Sequence, residues 1–556
     1  MTAGAPNDLL NIVVKNVGTF QVARGSTVGE LCASLQEGRA YPIVAVIIKN
    51  TLRDLHYIFR YDCNVELVDT TCPAGLRIYR RSATMVLLKA CRDLFPERTL
   101  MVKHTLSNGL YCEFLEVPSA DIEIDLIQNR MRQIVQQDLP IKRHLMENDE
   151  VRRIFMDQGQ NDKVQLMRYR DKEAAHVYEL DGYVEYPYGY MTNRTGILGK
   201  FRLLYHSPGM VLRTPEIDDL DLVKPYREQR KLAMIHQEAK EWADMLHVPH
   251  VSALNDMITQ DKIDDLIRVN EALHEKKIAY IADTISDNPS IRVVLIAGPS
   301  SSGKTTFAQR LLIQLRVIGH HPVSISMDNY FVDRANTPID EEGNYDYDSL
   351  AAVDIDLFNE QLTRLIEGED VEMPIYNFKT GRREETGTTI RVPTNEPIIV
   401  EGIHALNDQL TWSVPVKNKF KIYISALTQL NVDYSNRIPT TDSRLIRRIV
   451  RDHRTRGNPA IKTIKQWPSV RRAEEKNIFA FQENANVMFN SSLVYEMAAL
   501  KLFAEPLLEA IDNDVPEHIE SSRLLRFLSY FRAIPTTNIP PNSILREFVG
   551  GSWFDI

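Results

Sequence analysis

The chain has 556 residues, 44% of them apolar and 25% charged, with a formal charge of −9, which is too long for one hydrophobic core and predicts several domains. The acidic balance excludes a global drive toward nucleic acid or membrane, so any polyanion site must be local. No apolar run approaches the roughly 18 residues of a membrane span, and MTAGAPNDLL at the N-terminus lacks a basic stretch followed by an apolar one, so a cytoplasmic protein is expected.

In chain order, residues 8–70 hold short apolar stretches, LLNIVV, YPIVAVII and NVELV, with one helical segment, TVGELCASL. They predict a small mixed β domain. Five cysteines (Cys32, Cys63, Cys72, Cys91, Cys112) form no CxxC and are odd in number, which predicts reduced thiols. Residues 75–215 read as a second unit, with a helix over 84–94, strands near 99–102 and 110–115, and a helix over 122–137. Residues 216–290 contain no glycine and only Pro225, Pro249 and Pro289 as breaks. They predict a helical connector whose last helix, 266–285, runs into the next domain and packs on it.

The stretch 291–310, IRVVLIAGPSSSGKTTFAQR, carries the chemistry. Val293–Ala297 is a charge-free, β-branched run suited to a parallel strand covered on both faces. GPSSSGKT then matches G-x-x-x-x-G-K-[ST], a loop whose N–H groups converge on the terminal phosphates of a nucleotide. This assigns Gly298, Ser300, Ser301, Ser302, Gly303, Lys304, Thr305 and Thr306 to the nucleotide. Lys304 adds charge to the phosphates, Thr305 has a hydroxyl for Mg²⁺, and the helix they open points its positive end at the anion. Phe307, Leu311, Leu315 and Ile318 continue that helix and Gly319 stops it.

Further along, VSISM (323–327) is a strand delivering Asp328 at its carboxyl end, where open α/β sheets keep their ligands. A polar loop, YDYDSLAAVD (345–354), a helix and MPIYNFKTGRR (373–383) follow. The strand 397–400 ends in Glu401-Gly402, which sets a carboxylate beside the phosphate loop, and 422–426 is a further strand. In DSRLIRRIVRDHRTRGN (442–458), Arg444, Arg447, Arg448 and Arg451 share one helix face while Leu445, Ile446, Ile449 and Val450 occupy the other. Such a helix docks by its apolar side and presents guanidinium groups suited to phosphate. The tail 500–556 reads as helical, then irregular.

Two resemblances add to this. GLRIYRRSATMVLLKACRDLFP, NGLYCEF, NRMRQIVQQDLPIKR and DGYVEYPYGYMTN resemble the N-terminal part of threonyl-tRNA synthetases, a ubiquitin-like TGS domain followed by a tRNA-editing module. That family's editing site needs HxxxH and CxxxH pairs. The corresponding positions here are Arg81, Met85, Pro187 and Met191, none able to serve as zinc ligand or general base, so editing chemistry and zinc are not expected. Tyr183, Tyr186, Tyr188 and Tyr190 are expected to pack.

GPSSSGKTT, MDNYF, YDYDS, PIYNF, IIVEGI and DSRLIRRIVRD resemble the uridine kinase and phosphoribulokinase group over 290–510. The resemblance implies Asp328 as catalytic base and near the metal, and Lys304, Arg447 and Arg451 as catalytic cations. It implies Asp348, Tyr330, Tyr376, Arg444 and Arg447 on the acceptor, and Glu401 with Thr305 on Mg²⁺. A histidine that reads the base in uridine kinases is Gly381 here, and Asn377 replaces an aspartate, so the acceptor pocket is expected to be remodelled.

The expected architecture is an α/β multidomain chain. It comprises a TGS-like β-grasp domain (1–72), an α+β editing-like module (73–215), a helical connector (216–289), a P-loop kinase with a mainly parallel sheet (290–510) and a helical tail (511–556). The expected activity is ATP- and Mg²⁺-dependent phosphorylation of a nucleoside 5′-hydroxyl, uridine or cytidine first. A sugar-type acceptor, as in phosphoribulokinase, is the second reading. A third is an RNA-binding regulator with a nucleotide-sensing switch, against which the acidic charge and the lack of an aromatic and basic RNA motif weigh. The acceptor is a small molecule, membrane and nucleic acid are not expected partners, and the oligomeric state, a homo-oligomer included, stays open.

Overall fold

The computed structural model describes residues 9–339, 343, 345–377 and 380–555. Phe378 of the PIYNF motif lies outside the described residues. The first sheet has the order Gly18–Ala23, Leu9–Val14, Cys63–Asp69, Ile43–Ile48, Thr51–Asp54. Leu9–Val14 is antiparallel to its hairpin partner and parallel to Cys63–Asp69, the β-grasp pairing. Its inward residues Leu10, Ile12 and Val14 share a core with Val28 and Leu31 of the helix Val28–Leu35, which a Thr27/Glu30 capping box starts.

The next helix is longer than its apolar pattern. Residues 84–94 carry the pattern, but the helix spans Pro73–Leu94, because Arg77, Arg80 and Arg81 interrupt the period without breaking the turn. Pro73 in the first turn and the Cys72 cap fix its start. It shares a core with Ile124, Ile127 and Met131 of the helix Asp121–Gln136. Two antiparallel sheets complete this unit. One has the order Arg202–His206, Gly209–Arg213, Gly109–Phe114, Leu100–Leu106, and the other Tyr183–Glu185, Ala174–Leu180, Ile141–Glu147. Of the four tyrosines expected to pack, Tyr183, Tyr186 and Tyr188 are buried and Tyr190 is half-buried.

Three helices, Arg230–Leu246, Val251–Thr259 and Ile263–Ser286, form the connector. It is no tether. Leu254, Ile267, Ile278 and Ile281 lie in one core with Phe307 and Leu311 of the phosphate-loop helix and with Ile544 and Phe548 near the C-terminus. The kinase sheet is wholly parallel, in the order Val323–Ser326, Ile398–Glu401, Val293–Ala297, Lys419–Ser425, Val487–Asn490. Val293–Ala297 is central and buried along its length. The last strand, VMFN, has too few residues for its pattern to show in the sequence. Val371–Asn377 and Arg382–Ile390 pair as an antiparallel hairpin outside this sheet.

The two halves meet at the segment joining Lys419–Ser425 to the helix Thr440–Arg456. Asn431 Nδ2 donates to the Val102 carbonyl at 2.7 Å, Val102 N donates to the Tyr434 carbonyl at 2.8 Å, and Val251 N to that of Asn431 at 2.9 Å. Lys163, fully buried, lies 3.2 Å from Glu185 and 3.6 Å from Asp433. Among the described residues no helix is long and apolar enough to cross a membrane.

Candidate active site

Gly298 leaves the central strand at its carboxyl end. A Cβ there would stand 2.1 Å from the Ile424 carbonyl oxygen, so the turn beside the neighbouring strand requires glycine. Ser301 and Gly303 take positive φ, 59° and 83°, and fold the loop back onto the helix Lys304–Val317. The hydroxyls of Ser301 and Ser302 are buried without a hydrogen-bond partner among the described residues. Buried donors without partners at the positive end of a helix fit an anionic ligand.

Lys304 Nζ donates to the Gly298 carbonyl at 3.0 Å, and Thr305 Oγ1 to Glu401 Oε1 at 3.3 Å. Parallel pairing sets Glu401 opposite Ile296, next to the loop. Burial, with Asp328 and Glu547 nearby, pushes the Glu401 carboxyl up to about 7 against the pull of Lys304. Asp328 follows the strand Val323–Ser326 and is open to the cleft, yet the protein around the cleft raises its pKa, with Lys304 and Arg456 opposing. Burial lowers the Lys304 pKa, and Glu401, Glu547 and Asp328 counter it. Among the described residues no group of three or more His, Cys, Asp or Glu could hold a metal. A hydroxyl and a carboxylate side by side are the hard-oxygen donors Mg²⁺ takes, with phosphate oxygens and waters completing its shell.

Asp348 sits across the cleft. Burial and Asp346 push its carboxyl up to about 6, Arg448 opposes, and Asn477 Nδ2 holds its carbonyl at 2.7 Å. Tyr376 is buried against Phe331, ring centroids 5.6 Å apart. Tyr330, expected on the acceptor, turns the other way. Its ring packs edge-on to Phe358 and its hydroxyl donates to Gln361 at 2.8 Å, so the core has taken it. At Gly381 a Cβ would meet the Arg334 guanidinium at 2.6 Å, and Arg334 Nε donates to Tyr347 Oη at 3.0 Å. An arginine from another loop thus fills the space into which a side chain at position 381 would project.

The arginine helix departs from the expected picture of four guanidinium groups offered to phosphate. Arg444 and Arg447 are 1% and 0% exposed. Arg444 Nε donates to the Ser300 carbonyl at 2.9 Å and pairs with Glu474. Arg447 reaches the Ser301 carbonyl at 3.3 Å and pairs with Glu496. These two brace the back of the phosphate loop and have no charge left to offer an acceptor, because each is matched by a buried carboxylate. Arg448 stays on the cleft side, donating to Ser300 Oγ at 2.7 Å. Arg451 lies near Lys304 and pairs with Asp452 at 2.8 Å.

Two carboxylates that sequence reasoning missed lie on the loop's own amides. Glu474 Oε1, from the helix Ala460–Asn477, accepts from Ser300 N at 2.8 Å. Glu547 Oε2, from the short helix Arg546–Val549, accepts from Thr306 Oγ1 at 2.9 Å and from Thr306 N at 3.4 Å. Arg454 fixes that segment through the Glu547 and Phe548 carbonyls, and Ile544 packs against Gly303. No motif marks either glutamate, and both reach the loop from distant parts of the chain.

Residues 293–497 match the model of the phosphoribulokinase / uridine kinase family. A uridine kinase of Bacillus pumilus is 34% identical over 178 residues, 32% of this chain and 75% of that one. The N-terminal region is similar to threonine–tRNA ligases. That of Pelobacter propionicus is 26% identical over 196 residues, which are 35% of this chain and only 31% of the ligase. A solved structure described as a "possible uridine kinase" from Bacillus stearothermophilus covers 39% of this chain at 21% identity, with a TM-score of 0.27. With 75% of a 34%-identical uridine kinase covered and the family model matched across the sheet, loop and arginine helix just described, the chain belongs to the phosphoribulokinase / uridine kinase family of phosphotransferases.

Proposed function

We propose that the chain transfers the γ-phosphoryl group of ATP to the 5′-hydroxyl of a nucleoside, with uridine and cytidine the first candidates. The observation that carries this is the convergence of Lys304, Thr305, Glu401 and Asp328 on one cleft at the carboxyl end of the parallel sheet. In the proposed step the acceptor oxygen attacks the γ-phosphorus, the bond to the β,γ-bridging oxygen breaks, ADP leaves, and Asp328 takes the acceptor's proton. Its raised pKa suits it to that proton. Lys304 balances charge on the moving group, and Asp348 binds the ribose hydroxyls. Mg²⁺, held by Thr305 and Glu401, would supply charge neutralisation at the phosphates.

A second reading is favoured by Arg334 over Gly381. A planar guanidinium beside Gly381 and Tyr347 suits a phosphate or carboxylate on a sugar-type acceptor as well as a base carbonyl. One assay separates the two: ADP release with ATP, Mg²⁺ and a panel of nucleosides and phosphosugars. Turnover with a nucleoside supports the first reading, turnover only with a phosphosugar the second, and no acceptor-dependent ADP release defeats both. We further propose a cytoplasmic location.

A further inference from the structure

A cavity of about 890 Å³ lies between the halves, away from the phosphate loop. Its walls come from the strands Leu100–Leu106 and Gly109–Phe114, the connector helix Arg230–Leu246 and the segment after Lys419–Ser425. Met101, Leu115, Pro208 and Met234 give it open apolar surface. Lys103 reaches it from a bulge. Val102 pairs with Cys112 and His104 with Tyr111, so Lys103 is the extra residue on its strand, and a bulge of this kind re-aims a side chain.

Two lysines share one acid there. Lys103 Nζ pairs with Glu113 Oε1, Lys240 Nζ lies 2.8 Å from the same oxygen, and Tyr111 Oη donates to Glu113 Oε2 at 3.0 Å. One carboxylate balances one ammonium, so the second is in excess. The Lys103 side chain is 12% exposed and that of Lys240 39%, so the cost of desolvation falls on Lys103. Burial, with Lys240 adding to it, holds Lys103 down to about 8 against the pull of Glu113. Burial also works against the charge of Lys240, but Glu113 and Asp244 keep its pKa above the usual value. The stacked imidazoles of His104 and His236 add no charge, since burial holds His236 at about 3 and His104 well below its usual value. A lysine desolvated in apolar surroundings beside a second ammonium is the arrangement that frees an amine to attack a carbonyl carbon.

We propose that this cavity is a second site, which takes an uncharged aldehyde or ketone with an apolar body and holds it as an imine on Lys103. The nitrogen lone pair attacks the carbonyl carbon, a C–N bond forms, and Glu113 carries one nitrogen proton to the oxygen. The second nitrogen proton follows by the same route as the C–O bond breaks, so one water leaves and a C=N bond remains, with no oxidant or reductant consumed. Lys240 stays charged on Glu113, so the surroundings of the carbonyl are neutral, which suits an uncharged ligand. Nothing in this chemistry depends on phosphoryl transfer at Lys304.

The test is trapping on the full chain with hexanal and sodium cyanoborohydride, which reduces an imine to a stable amine, followed by peptide mass mapping. Lys103 should be labelled at least about tenfold faster than the exposed lysines, through the neutral fraction that a pKa of about 8 supplies. The preference should hold with or without ATP and Mg²⁺ and vanish in urea. Glyoxylate, small and charged, should show less preference for Lys103 over the exposed lysines than hexanal does. In a folded Lys240→Met chain Lys103 should react about tenfold more slowly, since its ammonium then has Glu113 to itself. Labelling of Lys103 at the rate of the exposed lysines, a preference that survives urea, or labelling confined to Lys304 and blocked by ATP would overturn the proposal. So would an unchanged rate in a folded Lys240→Met chain, or a glyoxylate preference equal to that of hexanal. The comparison with urea stands even if Lys240→Met fails to fold.

Discussion

Lys304 faces three carboxylates, Glu401, Glu547 and Asp328, so the cleft holds more negative charge than one lysine balances. Burial is the main cause of the raised pKa values of Asp328 and Glu401, and at Glu401 the neighbouring Asp328 and Glu547 add to it. Asp328→Asn is expected to leave ATP binding intact while kcat falls about 10²- to 10⁴-fold, since the amide is nearly isosteric and cannot take a proton. A collapse of ATP affinity with residual turnover would make Asp328 a metal or structural residue. For Glu401 the consequence is a pH slope in stability. Below its ordinary value of 4.5 the group is protonated folded or unfolded and contributes nothing. Between there and about 7 the folded chain keeps a proton that the unfolded chain has released, so stability falls as pH rises and the full cost stands above about 7. Glu401→Gln should therefore raise Tm at pH 8 and not at pH 4.5, by the equivalent of about 1–2 kcal/mol once screening by cleft water is allowed for. An equal gain at both pH values would show that Glu401 titrates normally.

At the scale of elements, the short helix Arg546–Val549 puts Glu547 on the first turn of the phosphate-loop helix, where an anion is most favoured. A carboxylate there competes with a phosphate for Thr306 N–H. Glu547→Gln should lower KM for ATP by about three- to tenfold with little change in kcat, the scale of one charge at a helix end. A higher KM would mean that Glu547 braces the helix instead. Arg447→Lys tests the buried face of the arginine helix. It keeps the charge but cannot serve Ser301, Ser491 and Glu496 together, so a loss of about 2 kcal/mol, read as a lower Tm, is expected. An unchanged Tm would return Arg447 to the cleft. The strand, loop and helix of 291–310 were legible because local rules of glycine geometry and apolar period determine them. The role of Arg447 was not, since spacing tells which residues share a face and not which face meets a partner. Glu474 and Glu547 were invisible for the same reason. Both act across tertiary distance, and nothing near them in sequence differs from an ordinary solvated glutamate.

For the whole molecule, the decisive contact is Lys163. Burial works against its charge, but Asp433, Glu185 and Asp162 hold its pKa well above the usual value. Lys163→Met should lower Tm by the equivalent of about 3–5 kcal/mol, because it leaves those carboxylates buried without their cation. Unfolding of the phosphate-loop domain should move with it, observable as a shared shift in an ATP-protected transition. Two separate transitions, only one of them shifted, would mean that the halves are energetically independent. The β-grasp sheet and the similarity to ligases could be read from the chain, but this junction could not, since Lys163 and Asp433 are ordinary surface residue types that only the fold brings together.

Lys163 also bears on descent. A gene fusion is easily reversed while its two products merely share a linker. Once an acid inherited with one partner and a base inherited with the other occupy a single dry site, deleting the ligase-like half takes from Asp433 the cation that matches it. Selection on the phosphotransferase alone would then preserve the ligase-like half, whatever reaction that half performs or has abandoned.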